Sequence, residues 1–227
     1  MEKHTQLMTI NPKLETEDLI GLLGGTKGRP LSRSLGRKVR ALKSKVKVLF
    51  NPRLYYRTSK LTTKVNGTVC LDNDIVFRSN KLSKTLKHSD ESVCFVGTIG
   101  RGIEREIKRL MRDNSLADAY IVDAIGSVAV ESMVEQFQHH MDCRYRKEGK
   151  AVTLRFSPGY CDWPITEQKK LFRVFDPEEI NVDLLDSCLM RPRKSISGIF
   201  GVAPTAGSSY NPCVHCKKLD CEARRYP

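Results

Sequence analysis

Residues 155–164 combine the side chains best suited to binding a charged ligand, in the run RFSPGYCDWP. The guanidinium of Arg155 offers a planar fork of donors that suits a carboxylate. Gly159 lets a ligand approach the backbone, and the rings of Tyr160 and Trp163 can attract a cation. The other interpretation is structural, namely a Pro-Gly turn around a buried tryptophan. The composition of the loop leaves both interpretations open.

The cysteines near the C-terminal end form a second candidate site. Cys213 and Cys216 form a Cys-x-x-Cys pair that can chelate a soft metal, and Cys221 can join them. Three thiolates suit an iron–sulfur cluster or zinc. The fourth ligand would be Cys161, Cys188, His215 or a small molecule. The alternative is a reduced, mobile tail that binds no metal.

A third group of candidate metal ligands stands near the end of a predicted long helix. It consists of His139-His140 and Asp142-Cys143. Imidazole, carboxylate and thiolate all ligate metals. Polar residues are equally ordinary neighbours of a helix terminus, so this pattern alone decides nothing.

The positive charge of the chain is concentrated in one stretch. From Leu19 to Leu71 there is no Asp or Glu, and the Lys and Arg residues of this stretch account for the whole net charge of +13. They are Lys27, Arg29, Arg33, Arg37, Lys38, Arg40, Lys43, Lys45, Lys47, Arg53, Arg57, Lys60 and Lys64. Such a stretch attracts an anionic partner or is simply a solvated surface. No aromatic residue precedes Phe50 within it, which argues against nucleic acid as that partner.

Length and composition describe an ordinary globular protein. The 227 residues are 40% hydrophobic and 29% charged, enough for one large domain or a medium domain with an extension. No window approaches the ~20 uninterrupted apolar residues of a membrane helix, so we expect no membrane association. The first residues carry no apolar run of signal-peptide length. We therefore expect a cytoplasmic location, with the eight cysteines reduced.

The elements that must position these residues follow from hydrophobic periodicity. Short runs of β-branched and aromatic residues between 46 and 98 predict strands, with a tight hairpin turn at Asn66-Gly67. Apolar residues at helical spacing predict a surface helix over 103–113 and a longer one over 116–141. A short strand is predicted at 152–156.

The remaining elements complete a fold prediction. Leu184–Leu189 and Ile196–Val202 flank a proline turn and are interpreted as a hairpin. The segregation of strands and helices favours the α+β class, with a mostly antiparallel twisted sheet and a long central helix. We expect three parts: a basic, partly mobile N-terminal arm over 1–45, a folded domain over 46–210, and a cysteine-rich tail over 211–227.

An ordered set of motifs in this chain resembles a known family. The set contains Arg155, Pro158-Gly159-Tyr160, Pro164, a helix, and then Pro192 and Ser195-Ile196-Ser197-Gly198. Upstream, DAYIVDAIGSVAVESMVEQF is similar to the long helix of the family, with Glu131 and Glu135 at acidic positions. Over about residues 90–210 the chain resembles the C-terminal reactivation domain of cobalamin-dependent methionine synthase, including its stand-alone forms.

The resemblance implies a function in cofactor repair. A domain of this family binds S-adenosylmethionine in a shallow groove and presents its methyl group to cobalamin on a partner or a neighbouring domain. This rescues cobalamin that has oxidised to the cob(II) state. An electron donor supplies one electron, and methylation of the resulting cob(I)alamin traps the product. The protein contributes positioning.

The same resemblance assigns roles to residues. Arg155 would bind the carboxylate of S-adenosylmethionine, and Glu131 would accept hydrogen bonds from its polar groups. The backbone contacts would come from Ser157, Pro158 and Gly159. Tyr160 would lie beside the methyl group and the corrin, which makes it the expected catalytic residue. Tyr210 falls near a tyrosine that contacts the ligand in the family.

The expected partners follow from the length of the chain, because we expect 227 residues to leave no room for a separate cobalamin-binding domain. We expect the corrinoid to arrive on another protein, either a cobalamin-dependent methionine synthase or another corrinoid protein, and a separate protein to donate the electron. The basic stretch would dock one of them. A competing hypothesis is a non-catalytic metal-binding adaptor that uses the basic stretch and the cysteine tail to hold an anionic partner or nucleic acid.

Overall fold

Seven strands form one antiparallel sheet in the computed structural model, which describes residues 4–15, 17–24 and 31–204. They are β1 Gln6–Met8, β2 Arg53–Val65, β3 Thr68–Leu71, β4 Val76–Arg78, β5 Glu91–Thr98, β6 Lys150–Val152 and β9 Ser195–Pro204. The order across the sheet is β4-β3-β2-β5-β9-β6, and β1 also pairs with β2. Two short strands, β7 Asp183–Leu184 and β8 Met190–Arg191, pair with each other.

The helices differ greatly in length. They are α1 Glu17–Ile20, α2 Arg33–Lys47, α3 Asn80–Thr85, α4 Gly102–Arg112, α5 Leu116–Arg146 and α6 Gln168–Phe172. With 31 residues, α5 is about 46 Å long at 1.5 Å per residue. None of the helices within the described ranges has the apolar run that a bilayer crossing requires. This combination of an antiparallel sheet and one long helix confirms the predicted α+β class.

The sheet separates two hydrophobic cores because side chains alternate across a strand. On β5, Val93 and Phe95 pack into the core that contains α5, whereas Cys94 and Val96 pack into the core on the other face. All four side chains are fully buried. The sheet therefore has one face covered by α5 and another covered by α3, α6 and the loops that flank α6.

The local predictions between residues 60 and 146 are confirmed. Asn66 and Gly67 both have positive φ, 50° and 74°, between the paired strands β2 and β3. This is the backbone conformation that an Asn-Gly hairpin turn requires. The two helices predicted after β5 are observed as α4 and α5.

The predicted hairpin of Leu184–Leu189 with Ile196–Val202 is wrong. Residues 195–204 form β9, which pairs with β5 along eight residues and with β6 along three. Ile199 enters one core, whereas Phe200 and Val202 enter the other. A strand that is buried on both faces gains more from a central place in the sheet than from a local turn.

The described part of the basic N-terminal stretch packs against the domain. In α2, Val39 and Val46 are fully buried in the core that contains α5, and so is Leu19 of α1. Ser32 caps α2 by accepting a hydrogen bond from the backbone N–H of Leu35. The boundary expected at residue 45 therefore lies inside a helix of the folded domain.

Candidate functional site

Arg155 lies where the chain leaves β6 and meets β9. The next residue, Phe156, exchanges two backbone hydrogen bonds with Ile199 of β9, at 2.8 and 2.9 Å. The strand predicted over 152–156 is wrong in its bounds, because β6 spans Lys150–Val152 and Phe156 forms only an isolated bridge with β9. Only 4% of the Arg155 side chain is exposed. The backbone pairing directs this guanidinium beneath α5.

Three side chains of α5 surround the guanidinium of Arg155. Its Nη2 lies 2.9 Å from Oε2 of Glu131 and 3.6 Å from Oε1 of Glu135. Its Nη1 donates to Oε1 of Gln138 at 3.1 Å. Its Nε is buried and has no hydrogen-bond partner among the described residues. We call these four residues the Arg155 cluster.

The outer side of the cluster is acidic. The side chains of Glu131 and Glu135 are 48% and 68% exposed, so two carboxylates line the surface above one buried guanidinium. The negative charge reaches Asp18 of α1, because partial burial and then the charge of Glu135 raise the pKa of its carboxyl. These exposed carboxylates create a negative field, which favours a ligand that carries positive charge.

In the loop after Arg155, one aromatic residue fits the structural interpretation of the sequence and the other fits the ligand-binding interpretation. Trp163 is 1% exposed, and its ring stacks on Phe156 at 5.9 Å, as expected of a structural tryptophan. Gly159 has a φ of +93° and donates its N–H to the carbonyl of Trp163 at 2.8 Å, which closes a tight turn. Tyr160 at the tip of this turn is 47% exposed. The tryptophan therefore builds the core, and the tyrosine ring faces solvent.

Asp162 anchors the same loop to α3, which sequence reasoning missed. Its carboxylate accepts hydrogen bonds from the hydroxyl of Ser79 at 2.6 Å and from the backbone N–H of Asn80 at 2.8 Å. It also accepts from the backbone N–H of Lys81. These donors stand at the N-terminus of α3, where a carboxylate satisfies groups that have no partner in the helix.

The structure accounts for some of the predicted site residues and not for others. Arg155 and Glu131 are in direct contact. Ser157, Pro158, Gly159 and Tyr160 follow Arg155 in the loop. Tyr210, Cys213, Cys216 and Cys221 lie outside the described residues. Within the described ranges, no group of three or more His, Cys, Asp or Glu side chains is placed to hold a metal ion.

Gln138 belongs to the Arg155 cluster, although it was not predicted as a site residue. Glu131, Glu135 and Gln138 stand at i, i+4 and i+7, which places them on one face of α5. That spacing is visible in the sequence and would have indicated a polar stripe. The partner of the stripe was not visible, because Arg155 is 24 residues from Glu131 in the chain.

A comparison with protein families shows to which family this chain belongs. Residues 63–223 match a family described as "Vitamin B12 dependent methionine synthase, activation domain". The chain belongs to this family. The match spans all of α5, the Arg155 loop and the sequence positions of Cys213, Cys216 and Cys221. No curated protein sequence matches the chain.

A solved structure agrees with this activation-domain membership. It is described as "Crystal Structure of the MetH Reactivation Domain bound to AdoHcy", and its sequence is 15% identical to this chain. The alignment covers 90% of this chain and 80% of that chain, with a TM-score of 0.65. At this identity the similarity establishes a shared fold. The fold of this activation domain therefore extends over more of the chain than the sequence match.

Proposed function

We propose that this activation domain binds S-adenosylmethionine at the Arg155 cluster and presents its methyl group to cobalamin on a partner protein. The partner is a cobalamin-dependent methionine synthase or another corrinoid protein, and a separate donor supplies the electron. The observation that carries the proposal is the buried guanidinium of Arg155 beneath two exposed carboxylates.

The charges of the ligand complement those of the cluster. S-adenosylmethionine carries one carboxylate, one ammonium and one sulfonium. The carboxylate would pair with the guanidinium of Arg155, whose planar fork of donors suits it. The ammonium would approach Glu131 and Glu135, which are already at the surface. The sulfonium gains from the same acidic field.

The loop would position the methyl group. The backbone of Ser157, Pro158 and Gly159 would contact the ligand, since glycine at position 159 leaves the turn without a side chain. Tyr160 would lie beside the methyl group, with its exposed ring toward the corrin. Cobalamin on the partner supplies the reduced cobalt that accepts the methyl group. The residues of this chain orient the sulfonium and hold its charged groups in place.

Calorimetric titration of the full chain with S-adenosylmethionine tests the proposal. Arg155→Lys keeps the charge but loses the planar fork, and Glu131→Gln removes one carboxylate. Each is expected to weaken binding at least about tenfold, which corresponds to about 1.4 kcal/mol. S-adenosylhomocysteine lacks the sulfonium charge, so it should bind more weakly, and Glu131→Gln should reduce that preference.

The control is Glu178→Gln, which changes an exposed acid outside the Arg155 cluster and should bind as the unchanged chain does. Circular dichroism of every variant shows whether it is folded. A well-folded chain that does not bind S-adenosylmethionine would disprove the proposal. Binding that is insensitive to both Arg155→Lys and Glu131→Gln would place the ligand elsewhere.

A further inference from the structure

We infer that one face of α2 docks a protein partner whose surface is rich in carboxylates. This face, which we call the basic face, consists of Arg33, Arg37, Arg40, Ser44 and Lys47. It would hold the partner that the proposed function requires, and to that extent it rests on that function. The Arg155 cluster contains no residue of α2, so docking can be measured without S-adenosylmethionine.

The rest of α2 is attached to the folded domain. Val39 and Val46 are fully buried in the core that contains α5. Three of the seven cations of the helix are bonded to neighbouring elements. These pairs are Lys38 with Asp118, Lys45 with Glu106 at 3.3 Å, and Lys43 with the carbonyl of Leu14 at 3.0 Å. The domain therefore uses these three charges and holds α2 in one orientation.

The other four cations of α2 are not used in this way. Arg33, Arg37, Arg40 and Lys47 are exposed, and none of their side chains forms an ion pair or a hydrogen bond with another described residue. They stand at i, i+4, i+7 and i+14, so they share one face of the helix. No Asp or Glu stands within α2 to offset them. The basic face is therefore free to pair with charges on another molecule.

The charges of the basic face do not stabilise the helix that carries them. Arg33 and Arg37 are four residues apart, and like charges at this spacing destabilise a helix. Arg33 also stands in the first turn, where the helix dipole favours negative charge, and this turn contains no acidic residue. Helix stability therefore does not account for the basic face, whereas attraction of an anionic partner does.

The surroundings of the basic face favour a protein as the anionic partner. Ser34, Ala41 and Ser44 are small and exposed, so a flat surface can approach the helix closely. Val48, at the C-cap of α2, is 82% exposed and offers an apolar contact beside the charges, as protein interfaces do. None of residues 31–48 is aromatic, so the helix lacks the rings on which single-stranded nucleic acid stacks. The apolar side of α2 is buried, so it cannot enter a membrane surface.

Binding of fluorescent poly-L-glutamate to the full chain, followed by anisotropy, tests the inference. The triple variant with Arg33→Gln, Arg37→Gln and Arg40→Gln should bind at least about tenfold more weakly, because it lacks three of the four attracting charges. Added salt should weaken the binding of the unchanged chain. A carbodiimide joins a carboxylate to a lysine amine that it contacts, so the cross-link to poly-L-glutamate should form at Lys47.

A matched control removes three exposed cations on the opposite face of the sheet and should bind poly-L-glutamate as the unchanged chain does. It combines Lys84→Gln, Lys87→Gln and Arg173→Gln. Urea unfolding should show both variants to be as stable as the unchanged chain, since glutamine is a good helix former. Equal weakening in the two variants, or cross-linking at Lys84 rather than Lys47, would overturn the inference. Tighter binding of single-stranded poly(dT) than of poly-L-glutamate would also overturn it, as would no binding of poly-L-glutamate.

Discussion

Arg155 is linked to the sheet through Gln138. The side-chain amide of Gln138 accepts from Nη1 of Arg155 at 3.1 Å and donates to the carbonyl of Thr153 at 2.8 Å. The hydroxyl of Thr153 in turn accepts from the backbone N–H of Gly201 in β9 at 2.9 Å. This chain of bonds fixes the guanidinium relative to both α5 and the sheet, which is the preorganisation that its proposed binding role would need.

The variant Gln138→Leu tests that link. It removes an acceptor from Arg155 and a donor from Thr153, and groups left buried without partners cost about 1–3 kcal/mol. We expect the free energy of unfolding in urea to fall by this amount. Gln138→Glu keeps an acceptor for Arg155 and should lose less. Equal stability of Gln138→Leu and the unchanged chain would show that water replaces the amide.

At the scale of elements, β9 and the Arg155 loop approach each other closely at Gly198. A Cβ at this position would lie 2.8 Å from the ring of Phe95, 2.9 Å from the carbonyl of Phe156 and 2.9 Å from the hydroxyl of Ser157. Such distances are shorter than carbon atoms tolerate. The glycine of the Ser-x-Ser-Gly motif is therefore required where the loop crosses the strand.

The substitution Gly198→Ala is expected to lower the free energy of unfolding by about 1–3 kcal/mol, the usual cost of overpacking. It should also weaken binding of S-adenosylmethionine, because Ser157 must move. Gly21→Ala is the control, since a Cβ there meets nothing within 4 Å. Denaturant unfolding measures both variants. An unchanged free energy of unfolding in Gly198→Ala would contradict this prediction, because it would mean that the Arg155 loop moves away without loss of stability.

Helices α2 and α4 are connected through Glu106. Its carboxylate accepts hydrogen bonds from Nη2 and Nε of Arg109, at 2.8 and 2.9 Å, and pairs with Nζ of Lys45 at 3.3 Å. Hydrogen bonds from Arg109, together with Lys45, lower the pKa of Glu106 from its ordinary value of 4.5 to about 2. A carboxyl with a lowered pKa in the folded state stabilises the protein above its unfolded pKa.

This stabilisation should be present at neutral pH and lost as the pH falls from about 4.5 to about 2. We expect Glu106→Gln to be less stable than the unchanged chain at pH 7, with the difference shrinking across that interval. Urea unfolding at several pH values measures it. A constant difference between the two proteins down to pH 2 would contradict the lowered pKa.

At the scale of the whole molecule, the N-terminal residues contribute to the same core as α5. Leu19, Val39 and Val46 are fully buried there, and β1 extends the sheet beside β2. Lys38 pairs with Asp118 of α5. The basic stretch thus has one face that packs against the domain, while Arg33, Arg37 and Arg40 are exposed to solvent.

A chain that begins at residue 46 should therefore not unfold cooperatively. Each buried aliphatic side chain that is lost removes about 1.5–3 kcal/mol, and a domain has only about 5–15 kcal/mol in total. Trp163, the single tryptophan, is buried and gives the fluorescence signal for the measurement. A chain starting at His4 is the control. Equal unfolding midpoints of the two shortened chains would support the expected basic, partly mobile arm over 1–45.

Local chemistry was sufficient for several elements. The Asn-Gly turn, the amphipathic helix α4 and the start of α5 at Leu116 depend on neighbouring residues, and their predictions are confirmed, although α5 ends five residues later than predicted. The loop motif at Arg155 likewise identified the candidate site. The α+β class followed from the order of these elements.

Tertiary structure decided everything that joins distant residues. The hairpin expected around Pro192 lost to pairing between β9 and β5, because burial on both faces of a strand outweighs a local turn. The partners of Arg155 come from α5, 24 and 17 residues away, and only packing brings them together. The sequence by itself determined which residues are charged, which form turns and which form helices. The fold decided which of these residues are in contact, since contact energies depend on three-dimensional neighbours.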